Sequence, residues 1–133
     1  MNLINPALKY VIIAAYFYGA SVHVANIAGM TGFDWSQAPW KWQALDIFYL
    51  ALDVMVVVGL LYFPRFGLCC FAVAAISQII LYTAFRSWVV DVPAEIAPSP
   101  DKLRYLTQLV IFHLATLAAV AGSYFLRNGF LSR

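Results

Sequence analysis

Five side chains able to carry charge fall inside otherwise apolar stretches of this sequence: His23, Asp46, Asp53, Arg86 and His113. Insertion into hydrocarbon costs roughly 2.5–3.5 kcal/mol for such a group, so each one needs a partner or a use. His and Asp can exchange protons with a bound molecule, because a carboxyl group held away from water can act as acid or base near neutral pH. Asp46, Tyr49 and Asp53 recur at i, i+3 and i+7 and share one helical stripe. Gln78, Tyr82 and Arg86 follow i, i+4, i+8 and share another. Tyr16, Asn26, Gln108 and Thr116 fall at depths from which they can join the group.

The elements that must position these residues are hydrophobic helices. The 133 residues are 64% hydrophobic and 11% charged, against roughly a quarter charged in a soluble domain. A hydrocarbon core needs about 20 apolar residues of helix, and four stretches supply them: 10–30, 44–63, 66–90 and 103–126. The alternating segments of a membrane barrel do not occur. The expected fold is an all-α membrane protein, an antiparallel up-down-up-down bundle of four transmembrane helices forming a single domain over 1–133, with span one beside spans two and four. Lys9 ahead of the first apolar run, with Gly19, Ala20 and Ser21 after it, imitates a secretory signal; the expectation is that this segment is a retained span. Small residues in span one (Gly19, Ala20, Ala25, Ala28, Gly29), span three (Ala72, Ala74, Ala75) and span four (Ala118, Ala119, Ala121, Gly122) suit close helix packing.

The connections are short. Residues 31–43, TGFDWSQAPWKWQ, are rich in Trp and turn formers and are expected to lie flat at the outer interface. Residues 63–67 make a tight turn that forces spans two and three to be neighbours. Residues 91–102 carry Pro93, Pro98 and Pro100, and Ser99-Pro100-Asp101 reads as an N-cap, a first-turn proline and a first-turn acid. Lys9, Arg65, Arg127 and Arg133 sit at one face, and Lys41, Lys102 and Arg104 at the other among Asp34, Asp91, Glu95 and Asp101. Four basic residues against three place both termini on the cytoplasmic side of a bacterial-type inner membrane. Trp35, Trp40, Trp42 and Trp88 gather at the opposite face as an interfacial girdle. Cys69 and Cys70 are adjacent and read as packing residues, neither a redox pair nor a zinc knuckle.

Depth divides the polar residues into two layers. Asp46 and Arg86 lie near the outer surface and read as a structural ion pair tying span two to span three, or as a charged lip over a deeper site. His23, Asp53 and His113 lie about 10 to 15 Å below. The candidate ligand-binding set is His23, Asp53, His113, Tyr49, Tyr16, Asn26 and Gln78. Three chemistries could use it: the two histidines as axial ligands of a haem b, with Gly19 leaving room for the macrocycle; proton exchange with a lipid-like or quinone-like molecule; or Asp53 as the coupling carboxylate of a small dimeric transporter. No nucleophile motif, phosphate loop or HExxH spacing is present, so no catalytic residue, metal or cofactor is assigned. Scattered basic residues exclude a nucleic-acid stripe.

A compact four-span bundle with both termini inside resembles the DoxX-like membrane proteins. More loosely, it resembles the sterol-isomerase-like bundles that bind sterols through His and acidic residues between helices; His23 and Asp53 carry that likeness. It rests on span count, and no family motif lies over VHVAN, DIFYLALD or RSWVVDVP. No site residue therefore follows from it. The leading expectation is a non-catalytic accessory or structural subunit of a larger membrane complex, with the bilayer and other membrane subunits or further copies of itself as partners. The alternative is a binding protein or enzyme for a lipid-like, sterol-like or quinone-like ligand that uses the buried His/Asp cluster.

Overall fold

The computed structural model describes residues 4–32 and 34–131, with side chains as far as 125, and contains no strand among them. Its helices are α1 (Pro6–Ile27), α2 (Trp40–Tyr62), α3 (Pro64–Thr83), the short α4 (Arg86–Val90) and α5 (Pro100–Leu131). Four of them, α1, α2, α3 and the Pro100–Phe125 part of α5, are long and apolar enough to cross a membrane. The side chain of Arg127, and Arg133 altogether, lie outside the described residues.

Proline starts these helices earlier than the hydrophobic runs suggest. Pro6 opens α1, Pro64 opens α3, Pro100 opens α5, and Pro39 immediately precedes α2. A first-turn proline lacks an N–H that would have no intrahelical partner anyway, and its fixed φ suits the helix. Side-chain caps complete two of the starts: Asn5 Oδ1 accepts from Ala7 N–H at 2.8 Å, and Ser99 Oγ accepts from Lys102 N–H at 3.3 Å.

Two helices also stop sooner than expected. Gly29 adopts φ +69° after α1, so its N–H reaches Asn26 O at 3.0 Å and Met30 N–H reaches Ala25 O at 2.8 Å. That paired closure satisfies the last carbonyls and ends the helix at Ile27. α3 ends at Thr83, where Phe85 N–H reaches back five residues to Ile80 O at 3.2 Å and the chain restarts as α4. The expected span 66–90 is thus a 20-residue helix plus a short one, and Arg86 stands beyond the break.

α2 packs along both α1 and α3, while α5 leans on α3 and touches α1 only lightly. The expected neighbour relation of spans one and four is therefore slight. The apolar core runs through Ile12 and Tyr16 of α1, Leu52, Val56 and Leu60 of α2, and Cys70, Phe71, Ala74 and Ala75 of α3. α2 and α3 come closest at Gly59 and Gly67, one residue type that allows it. A Cβ on Gly59 would stand 2.6 Å from Gly67 Cα, and one on Gly67 would collide with the backbone of Gly59 and Leu60. The small residues of span four do not pack this way. Ala118, Ala119 and Ala121 are exposed, and a Cβ on Gly122 would meet nothing within 4 Å.

Candidate functional site

Between α1 and α5, toward the end that carries the 31–39 and 91–99 connections, the helices leave a cavity of about 660 Å³. Helical periodicity supplies its walls: Tyr16, Gly19, His23 and Asn26 from α1, Asp46, Tyr49 and Asp53 from α2, Gln78 and Tyr82 from α3, Tyr105, Leu109 and His113 from α5. All seven residues of the sequence-derived set line it. Gln108 does too, whereas Thr116 turns its hydroxyl back to Phe112 O at 2.8 Å. Tyr18 and Tyr105 line the cavity while remaining 61% and 40% exposed, so they stand at a lateral opening between α1 and α5.

His23 is the hub of the polar wall. Its Nδ1–H donates to Asp46 Oδ1 at 2.7 Å, and its Nε2 lies 3.9 Å from Asp53 Oδ2. Asp46 accepts two further hydrogen bonds, from Asn26 Nδ2 at 3.3 Å and Trp35 Nε1 at 3.0 Å. It therefore orients the imidazole while fully paired itself, the role a carboxylate plays behind a proton-handling histidine. Asp53 is the opposite case. It is 2% exposed, its Oδ1 is buried with no hydrogen-bond partner among the described residues, and 3.9 Å to His23 is beyond hydrogen-bond length. Gly19 faces it, and a Cβ there would stand 2.5 Å from Asp53 Oδ2. The room that the haem reading reserved at Gly19 is thus occupied by the Asp53 carboxyl group.

His113 forms a second pair. A backbone carbonyl can only accept, so the 2.7 Å contact to Leu109 O puts the proton on Nδ1 and leaves Nε2 to accept from the Tyr16 hydroxyl at 3.1 Å. Both ring nitrogens are thereby engaged, and neither is free for an axial bond to iron. Tyr16 is 3% exposed, and its ring meets Phe71 and His113 edge-on. The expected deep trio of His23, Asp53 and His113 is in fact two sub-sites in one cavity, His23 with the carboxylates and His113 with a tyrosine.

The expected Asp46–Arg86 ion pair does not form. Once α3 ends at Thr83, Arg86 leaves the stripe of Gln78 and Tyr82 and points to α5 instead, donating to Thr107 Oγ1 and Leu103 O at 2.9 Å each. Asp46 has meanwhile taken His23, Asn26 and Trp35. That tryptophan also departs from expectation, since its indole turns in to the carboxylate where an interfacial girdle residue would lie flat. A 3₁₀ turn over Trp35–Gln37, capped by Asp34 Oδ1 on Ser36 N–H at 3.0 Å, aims it there.

Sequence reasoning missed Tyr82, Tyr105, Tyr18 and Lys102 as cavity residues, and Trp35 as a donor to Asp46 behind them. Tyr82 carried a legible signal, because it stands one turn beyond Gln78 on the same stripe. The α4 connection is pinned above the cavity by α2: Lys41 Nζ donates to Trp88 O at 2.6 Å and Asp91 O at 2.5 Å, and Trp42 Nε1 donates to Val89 O at 2.9 Å.

Compared with family models, with curated proteins and with solved structures, the chain matches none of them.

Proposed function

We propose that this is a membrane-embedded binding protein for a lipophilic ligand with a polar head, which enters from the bilayer between α1 and α5. The four long helices cross the membrane up and down as a bundle, with both termini cytoplasmic and the Trp-rich end outward, the sense that Lys9 and Arg65 favour. The observation that carries the reading is the cavity itself. It is mostly apolar, of a size usual for small-molecule sites, and it places at its wall Asp53, whose buried Oδ1 has no hydrogen-bond partner among the described residues. Polar groups so placed are normally satisfied, and a ligand head group in the cavity satisfies this one. The apolar body of the ligand lies against Leu106, Leu109 and Phe112.

The test is extraction of bound lipophiles from protein purified in mild detergent, followed by native mass spectrometry. A stoichiometric adduct is expected, and Leu106→Trp, which fills the wall, should remove it. A protein that carries no adduct and takes up no lipophilic probe would refute the reading.

A second reading, an accessory subunit packed against a larger membrane complex, is favoured by one feature. Ala115, Ala118, Ala119 and Gly122 present small residues on α5 that no helix covers among the described residues, the surface on which a foreign helix approaches closely. Co-purification with a stoichiometric larger partner, abolished by Ala118→Leu, is the outcome that would support it.

A further inference from the structure

The charge balance inside the cavity bears on what kind of head group it takes. Asp46 is paired by His23 Nδ1, Asn26 and Trp35, and the same imidazole turns its Nε2 toward Asp53, so a single histidine faces two carboxylates and even when protonated leaves the group one negative charge in excess. Among the described residues Asp53 keeps no hydrogen bond of its own, and its nearest basic nitrogen stands 3.9 Å away. Lys102, the other basic side chain of the lining besides the histidines, is exposed at the connection end. A buried carboxylate without donors is strongly disfavoured unless a positive charge or a proton compensates it. The walls around it are aromatic: five tyrosines line the cavity, at 16, 18, 49, 82 and 105, with Phe112 and Trp42. Aromatic faces attract cations, more so away from water.

We infer that the ligand is a lipophilic cation, its charge beside Asp53 and its apolar groups against the tyrosine and phenylalanine rings. The inference rests on the binding reading above and narrows it to one charge class. Neither an anion nor a neutral head group compensates Asp53 in this way, and a neutral lipophile gains less from the aromatic faces.

The probes are tetraphenylphosphonium and tetraphenylborate, ions of the same shape and opposite sign, with a neutral alkyl-benzoquinone as third arm. Binding is measured by equilibrium dialysis on protein in phosphatidylcholine nanodiscs, with empty nanodiscs subtracted for partitioning. Saturable uptake of tetraphenylphosphonium without saturable uptake of tetraphenylborate is expected from the unaltered protein, so this arm needs no variant to fold. Asp53→Asn should weaken tetraphenylphosphonium at least tenfold. Equal uptake of both ions, or undiminished affinity in a folded Asp53→Asn, overturns the inference. Uptake of the quinone with no uptake of the cation overturns it while leaving the binding reading in place; uptake of none of the three removes both.

Discussion

Asp46 and Asp53 stand two turns apart on the same stripe of α2, and their surroundings give them opposite parts. Asp46 collects donors from α1 and from the Trp35 turn, so it is a structural anchor. Removing it by Asp46→Ala strands those donors, and a buried donor without a partner costs about 1–3 kcal/mol. A clear drop in the thermal unfolding midpoint in detergent is the expected result. Asp53 makes no hydrogen bond to lose, and Asn fills the same volume. Asp53→Asn is therefore expected to leave that midpoint unchanged or raise it, while altering what the cavity binds. Were the two variants equally destabilised, Asp53 would be another anchor. His113→Phe isolates the second sub-site: it leaves the buried Tyr16 hydroxyl unpaired and should cost about 1–3 kcal/mol by the same unfolding measurement.

At the scale of elements, hydropathy revealed the existence and number of the long helices, because about 20 consecutive apolar residues have few other readings. It did not reveal their ends. Those were decided by local chemistry that hydropathy ignores: the prolines at 6, 39, 64 and 100, the left-handed Gly29, and the wide turn at Phe85. The last of these undid the Asp46–Arg86 pair, since the two non-helical residues at 84 and 85 swing Arg86 off its stripe. Residues deep within helices, such as His23, Asp53 and Gln78, kept their expected faces for the same reason, because periodicity there does not depend on where the helix stops. The α2–α3 contact makes its own prediction. Gly67→Ala forces a methyl group into the Gly59–Leu60 backbone, which cannot yield as a side chain can. Overpacking of this kind costs about 1–3 kcal/mol, and because the crowding lies at the end of α2 opposite the cavity, it should lower the unfolding midpoint with ligand affinity preserved. Loss of affinity in step with stability would mean that the two ends of the molecule are coupled. The α4 connection is held differently, by Lys41 on two carbonyls. Lys41→Met should speed amide hydrogen exchange over 86–96 with little change elsewhere, and unchanged exchange there would show that Trp42 and Arg86 suffice.

For the molecule as a whole, the decisive asymmetry is that α2 and α3 are held tightly while α1 and α5 diverge. The centre of the assembly is a glycine-closed pair with a packed core; its flank is a gap lined by Tyr18 and Tyr105. In the membrane placement proposed above that gap opens sideways to lipid, and lateral entry has a kinetic signature that entry from water lacks. Linking α1 to α5 across the opening restrains the path without touching Asp53 or the tyrosines of the floor. The suitable protein carries Tyr18→Cys and Tyr105→Cys with Cys69→Ser and Cys70→Ala, joined by a bifunctional thiol reagent. Exchange of a bound lipophile with lipid vesicles is expected to slow at least tenfold on linking, with the equilibrium dissociation constant changed less than threefold, because ground-state contacts are kept and only the passage narrows. If exchange runs at the unlinked rate in fully cross-linked protein, the ligand passes under the α4 connection, and Lys41→Met becomes the variant that should accelerate it.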